Sequence, residues 1–68
     1  MEISTEFIKL DSFLKVVNAV GSGGEAKMVI ADGMVRVNGS IELRRGRKLR
    51  PGDRVELAGR RYSVEEGG

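Results

Sequence analysis

The chain has 68 residues, with 12 Lys and Arg against 10 Asp and Glu, a formal net charge of +2, and neither Cys nor His. A chain of this length forms one domain with a thin core, and its composition excludes a disulfide framework, a thiolate metal site and an imidazole proton shuttle. No apolar stretch approaches the roughly 20 residues of a membrane span, and the acidic N-terminal segment does not look like a signal peptide. We therefore expect one cytoplasmic domain over residues 1–68, with its core at about residues 8–64.

The first predicted elements are an N-terminal arm and a helix. Residues 2–9 alternate loosely, which predicts a short strand or an ordered arm. Apolar residues then recur at helical spacing and predict a first amphipathic helix from Leu10 onward. This apolar stripe comprises Leu10, Phe13, Leu14, Val17 and Val20.

A glycine-rich turn at residues 21–24 ends that helix. Ser22 followed by Glu25 is a capping-box pattern, which predicts a second helix from about Gly23 to Asp32. Gly33 is suited to end it. Ala26, Val29 and Ile30 are predicted to face the core, and Met28 and Met34 to fill gaps in it. Two short helices joined in this way form a helical hairpin.

The remainder predicts a small β-sheet. Residues 34–37 and 40–43 alternate on either side of Asn38-Gly39, which is typical of a type I′ hairpin turn. Strands at residues 54–57 and 61–64 follow further turns at residues 51–53 and 58–60. Residues 65–68 are expected to fray. The fold class is therefore α+β.

The charge is concentrated in one part of the chain. Residues 1–35 carry three Lys and five acids, whereas residues 36–61 carry nine Lys or Arg and three acids. Five basic side chains fall within seven residues, at Arg44, Arg45, Arg47, Lys48 and Arg50. Arg binds phosphate oxygens in pairs, so this run favours a polyanionic partner. Composition alone leaves open that the run is only a solvated loop, with Leu49 anchoring it to the core.

The glycine-rich turn is the second candidate for ligand binding. Its G-x-G-x-x-A spacing follows a helix, whereas a dinucleotide fingerprint follows a strand, and the P-loop pattern is missing its Gly-Lys-Ser/Thr. The start of a helix with Gly23 and Gly24 still exposes free N–H groups that bind phosphate, and Lys27 lies one turn further on. The alternative is a plain helix–helix turn, and the two interpretations are compatible.

The scarcity of aromatic residues and the lack of His indicate how the chain would bind a nucleic acid and whether it could be a catalyst. Only Phe7, Phe13 and Tyr62 are aromatic, so there is no platform on which splayed bases could stack. Recognition of the backbone and shape of a structured nucleic acid is favoured instead. No acid/base pair can be placed, and Ser22 has no His to activate it, so catalysis is not expected.

The order of these motifs resembles a known family. Ser22-Gly23-Gly24-Glu25-Ala26-Lys27 lies between two helices, and Gly33-x-Val35-x-Val37-Asn38-Gly39 and Arg44-Arg45-Gly46-x-Lys48-Leu49-x-x-Gly52-Asp53 follow. Over about residues 8–57 the chain resembles the S-four RNA-binding domain, or αL motif, and most of all its small stand-alone bacterial members of the YaaA/YbcJ type. The resemblance implies a helical hairpin packed on a small, bent antiparallel sheet of about four strands.

The resemblance also implies binding to structured RNA, often ribosomal RNA or tRNA. The implied contact residues are Lys15, Ser22, Gly23, Gly24, Lys27, Asn38, Gly39, Arg44, Arg45, Arg47, Lys48 and Arg50. The expected protein is therefore a non-catalytic RNA-binding module without cofactor or metal, and a monomer is favoured. The alternatives are a module that docks an acidic protein in a ribosome-associated complex and, more remotely, a DNA-binding protein or an enzyme. No helix rich in Arg, Asn or Gln is present to read base edges in DNA.

Overall fold

The computed structural model describes residues 2, 3 and 7–66, and within them the chain forms two helices and eight short strands. In chain order the elements are β1 (Glu2–Ile3), β2 (Ile8–Lys9), α1 (Leu10–Val16), α2 (Gly23–Ala31), β3 (Val35–Val37), β4 (Ser40–Ile41), β5 (Lys48–Leu49), β6 (Arg54–Leu57), β7 (Arg60–Ser63) and β8 (Glu65–Glu66). The predicted α+β class, with a helical hairpin and a small antiparallel sheet, is confirmed.

The main sheet has four antiparallel strands in the order β4-β3-β6-β7. The β3–β4 hairpin turns at Asn38 and Gly39, whose φ angles are 53° and 85°. Two successive positive φ angles are what a type I′ turn requires, so this predicted hairpin is confirmed. The returning strand β4 covers only Ser40–Ile41 and is shorter than the predicted strand at residues 40–43.

The core lies between one face of this sheet and the two helices. The antiparallel register places Val35 opposite Leu57 and Val37 opposite Val55, and all four side chains are buried. The helices supply the other half of the core, with Leu10, Phe13, Leu14, Ala26 and Ile30 each at most 1% exposed. Val29 packs at its edge. Most residues of the two predicted apolar stripes therefore do form the core.

Helix α1 is shorter than its apolar stripe. It ends at Val16, because Asn18 adopts the left-handed conformation with a φ of 58°. The N–H of Ala19 then bonds to the carbonyl of Leu14 at 2.9 Å, a pattern that ends helices. Val20 is still buried, but it reaches the core from the connection between the helices and not from a helix.

Two other predictions were wrong. Met28 and Met34 are 64% and 50% exposed, so they are not core fillers. Glu65 and Glu66 are not frayed, since they form β8, which pairs in parallel with β1. The expectation of fraying at residues 67–68 lies outside the described residues. Neither helix in the described ranges is long and apolar enough to cross a membrane.

Candidate nucleic-acid interface

The basic run 44–50 is attached to the N-terminal end of α1. Lys9, which precedes the helix, makes no capping side-chain bond. Instead, the N–H groups of Leu10 and Asp11 donate to the carbonyls of Arg47 and Arg45 at 2.9 and 3.1 Å. These bonds satisfy helix donors that would otherwise be unpaired. The basic loop thus serves as the cap of α1, which holds its backbone against the helix.

The end of the basic run is a strand. Leu49 in β5 pairs with Ile8 in β2 and is fully buried, which confirms its predicted role as the anchor of the loop. The neighbouring Lys48 alternates to the exposed side and places its Nζ 4.9 Å from the centre of the Phe7 ring. The run is therefore not a free solvated loop, because it is fixed at both the helix and the strand.

Glu42 organises two of the arginines. Glu42 is buried, with 8% of the residue exposed. Its carboxylate accepts hydrogen bonds from Arg47 Nη1 at 2.8 Å, from the Arg44 N–H at 3.1 Å and from Arg44 Nε at 3.4 Å. The hydrogen bonds from Arg47 and Arg44 lower the pKa of Glu42 from 4.5 to about 2, against the opposing effect of burial. Glu42 is therefore ionised at neutral pH and fixes both guanidinium groups.

Sequence reasoning missed Glu42. The alternation Ser40-Ile41-Glu42-Leu43 indicates that Ile41 and Leu43 share the buried face, but these two side chains are 54% and 62% exposed. The alternation continues with the faces reversed: Ile41 pairs with the exposed Arg36, so Glu42 points inward beneath the arginines. The available signal was the close sequence spacing of one acid to Arg44 and Arg47.

Three cations of the run remain available to a ligand. Arg45, Lys48 and Arg50 are exposed, and none of them makes an ion pair with another residue of the described chain. The Arg47 side chain is 34% exposed and that of Arg44 77% exposed, so both can still present N–H groups while bound to Glu42. The free charge of the run is thus carried by fewer side chains than its sequence suggests.

The N-terminus of α2 forms the second part of the surface. Ser22 Oγ accepts from the N–H of Glu25 at 3.1 Å, which confirms the predicted cap. The Glu25 carboxylate reaches back to the N–H of Gly21 and not to that of Ser22. The backbone N–H groups of Gly23 and Gly24 have no partner among the residues that the structure describes. They are exposed, as a phosphate-binding helix start requires.

Lys15 belongs to this second part. A Cβ placed on Gly23 would lie 3.9 Å from Lys15 Nζ, so the ammonium group sits beside the open start of α2. Since Lys15 lies four residues beyond Asp11, helix geometry places it about 6 Å along the axis from the loop-capped end. Helix α1 therefore links the basic loop at one end to the start of α2 at the other. Lys27 is exposed one turn further along α2.

Asn38 and Gly39 occupy a third place, at the tip of the β3–β4 hairpin. Asn38 Nδ2 donates to Asp53 Oδ1 at 3.1 Å, and Asn38 Oδ1 accepts from the N–H of Arg54 at 2.9 Å. The other Asp53 oxygen accepts from the N–H of Arg50 at 2.9 Å. Both polar atoms of Asn38 are therefore used inside the protein, where they tie the hairpin to the end of the basic run.

The comparisons with known proteins agree with this geometry. Residues 1–65 match the S4 domain family, and the chain belongs to that family. It is 46% identical over 59 residues to "Probable ribosome maturation protein RlbA" of Bacillus subtilis (strain 168), covering 87% of this chain and 83% of that protein. It is 37% identical over 57 residues to "Putative RNA-binding protein YbcJ" of Escherichia coli (strain K12), covering 84% and 81% respectively.

Solved structures show the same fold. The solution structure of E. coli YbcJ, described as revealing an αL motif involved in RNA-binding, superposes with a TM-score of 0.74 at 32% identity and covers 96% of this chain and 84% of that one. The 30S ribosomal protein S4e of Thermoplasma acidophilum superposes with a TM-score of 0.67 over 88% of this chain and 32% of that one. Its 20% identity shows a likeness of fold alone.

Proposed function

We propose that this protein binds structured RNA without changing it chemically, and that it does so through phosphate contacts at the basic loop and at the start of α2. The observation that carries the proposal is the docking of the loop carbonyls on α1, which fixes the basic run at one end of that helix while Lys15 lies beside the open start of α2. Such a surface is charged and partly ordered before any ligand arrives. A preorganised site gives up less conformational freedom when it binds.

The aromatic residues support backbone contacts over base stacking. Phe13 is buried, and Tyr62 packs against it edge to face, with ring centroids 6.4 Å apart. Phe7 lies against Lys48. None of these rings offers two open faces to a base, so the arginines and the helix N–H groups provide the contacts.

The relatives support RNA as the class of ligand. One relative carries RNA binding in its name, and the other carries ribosome maturation in its name. Ribosomal RNA is therefore the structured RNA that we propose. The protein would act as a small cytoplasmic binding module and not as an enzyme. Its contact residues are proposed to be the loop cations Arg45, Lys48 and Arg50 together with Lys15, Gly23, Gly24 and Lys27.

The test uses single charge-neutralising variants. Arg45→Gln removes an exposed cation of the loop, and Arg60→Gln removes an exposed cation at the far hairpin of the sheet, so the change in net charge is the same. In a titration of a ribosomal RNA hairpin at several salt concentrations, the loss of one phosphate contact should flatten the log–log salt slope by about 0.7–0.9. We expect this for Arg45→Gln and not for Arg60→Gln.

Equal slopes for both variants would refute the assignment of the loop. The remaining alternative, in which the basic surface docks an acidic protein, predicts a different result. In that case a protein complex isolated from cells would survive nuclease treatment and would be lost with Arg45→Gln. An RNA complex would instead be released by nuclease.

A further inference from the structure

The outer face of the four-stranded sheet carries a second group of arginines. Antiparallel register places Arg36 opposite Glu56 and Glu56 opposite Arg61, and it places Arg54 opposite Ser63. Successive side chains on a strand point to opposite faces. Since the valines and the leucine between these residues are buried in the core, the three arginines lie on the face that points away from the helices.

The guanidinium groups of these three arginines take no part in the ion pairs of the described structure. Arg36, Arg54 and Arg61 are exposed, and within the described residues none of them makes an ion pair, in contrast to Arg44 and Arg47. The single carboxylate among them, Glu56, is half-buried and leaves a local excess of positive charge. Three unpaired cations on so small a sheet repel one another, and a bound polyanion would relieve that repulsion.

The arginines line a shallow groove of about 760 Å³. Its lining also includes Asn38, Gly39 and Gly52, at the end of the sheet where the two turns meet. Asp53 joins this end to the basic loop, because its carboxylate bonds to both the Asn38 side chain and the Arg50 N–H. The groove thus begins where the proposed RNA surface ends and continues onto the opposite side of the molecule.

The chemistry of the groove selects a phosphate backbone. Planar guanidinium groups bind phosphate oxygens in pairs. Tyr62 is the one aromatic residue of the lining, and its ring is already packed on Phe13 of the core. The face therefore has cations to neutralise phosphates but no ring on which a base could stack.

We propose that this outer face binds the phosphate backbone of a second segment of the same RNA. The domain is then held between two RNA segments, one on the helix and loop side and one on the sheet. This inference rests on the proposed function and extends it, because it makes the protein a bridge between two parts of a folded RNA. Charge complementarity and the continuity of the two surfaces favour RNA over an acidic protein as the occupant.

The chain supplies a closely matched pair of variants. Arg60 and Arg61 are neighbours in β7, carry the same charge and are both exposed, but they alternate to opposite faces. The probes are a ribosomal RNA hairpin and a three-way junction that contains the same hairpin. We expect the junction to bind the wild-type protein more tightly than the hairpin does, because only the junction supplies a second segment.

Arg61→Gln should weaken junction binding and flatten its salt slope by about 0.7–0.9, whereas Arg60→Gln should leave both unchanged. The double variant Arg36→Gln/Arg61→Gln should lose on the order of tenfold in junction affinity, so that the junction binds no better than the hairpin. The charge-preserving double variant Arg36→Lys/Arg61→Lys should keep the wild-type salt slope. Circular dichroism establishes that each variant is folded.

The outcomes separate this inference from the proposed function. If Arg45→Gln weakens binding but Arg61→Gln behaves like Arg60→Gln, the second surface is refuted while the proposed function stands. If the outer-face variants weaken binding and Arg45→Gln does not, the second surface stands and the assignment of the loop fails. Loss of a nuclease-resistant protein complex in Arg61→Gln, with unchanged RNA binding, would also overturn the inference.

Discussion

Replacing Glu42 by Gln tests whether the ion pairs of Glu42 with Arg44 and Arg47 order the basic loop. The substitution keeps the size of the side chain and removes its negative charge. Arg44 and Arg47 then face a neutral amide. Its NH₂ group is a hydrogen-bond donor and cannot accept from the guanidinium groups. We expect the variant to fold but to be less stable at neutral pH.

The magnitude follows from the pKa of Glu42. A decrease from 4.5 to about 2 corresponds to at most about 3.4 kcal/mol of stabilisation by the ionised form. The Arg44 side chain is 77% exposed, so solvent screens its share. We therefore expect Glu42→Gln to cost about 1–3 kcal/mol at pH 7. In a domain of this size, that lowers Tm by roughly 7–20 °C.

The direction of the pKa shift determines how the stabilisation by Glu42 changes with pH. The folded-state pKa is depressed, so the contribution of Glu42 is complete above pH 4.5 and is lost as the pH falls toward about 2. Urea unfolding followed by far-ultraviolet circular dichroism, at several values across this window, measures the free energy of unfolding of both proteins. The two curves should differ most at neutral pH and converge below about pH 2, as Glu42 of the folded wild type becomes protonated.

Other carboxylates titrate in both proteins, so the difference between the curves isolates Glu42. If the curves for Glu42→Gln and the wild type superimpose from pH 7 to pH 2, the argued role of Glu42 is wrong.

Three further substitutions separate stability from RNA binding. Ser22→Ala removes the cap of α2 and should cost about 1 kcal/mol in urea unfolding, and an unchanged midpoint would contradict the cap. Gly24→Ala meets no atom closer than 3.9 Å, so it should keep or raise stability by up to about 1 kcal/mol. In the same variant the added methyl group should weaken RNA binding in a filter-binding titration, and undiminished affinity would place the phosphate elsewhere. Asn38→Gly keeps the left-handed turn but loses the hydrogen bonds to Asp53 and Arg54, so it should lower the free energy of unfolding by about 1–2 kcal/mol. A stability equal to that of the wild type would refute the role of these bonds.

The hairpins, the second helix and the core were predictable because their signals are local. Asn38-Gly39 needs two positive φ angles, and few residue pairs accept them, so the turn follows from the dipeptide itself. The cap at Ser22 follows in the same way from a spacing of three residues. The apolar stripe predicted burial correctly even at Val20, where it predicted the wrong secondary structure. A side chain can be buried in the core whether its backbone lies in a helix or in a connection.

The remaining features depend on contacts between distant parts of the chain. Asn18 ends α1 by adopting a conformation that Gly usually occupies, so the pattern of apolar residues could not reveal it. The carbonyls of the basic run cap the same helix from about 35 residues away, a contact without a sequence pattern. Hydrophobicity alone predicts Met28 and Met34 in the core, but both are exposed, and apolar residues are common on protein surfaces.

The structure changes what the arginine-rich sequence means. Arg favours phosphate binding because its planar fork binds oxygens in pairs. At positions 44 and 47 that property is used by the protein itself, since both guanidinium groups bind Glu42. The preference for Arg over Lys there is explained without any RNA. Within the loop, only the guanidinium groups of Arg45 and Arg50 still indicate phosphate binding. On the sheet, those of Arg36, Arg54 and Arg61 indicate it equally, because none of these five groups makes an ion pair within the described chain.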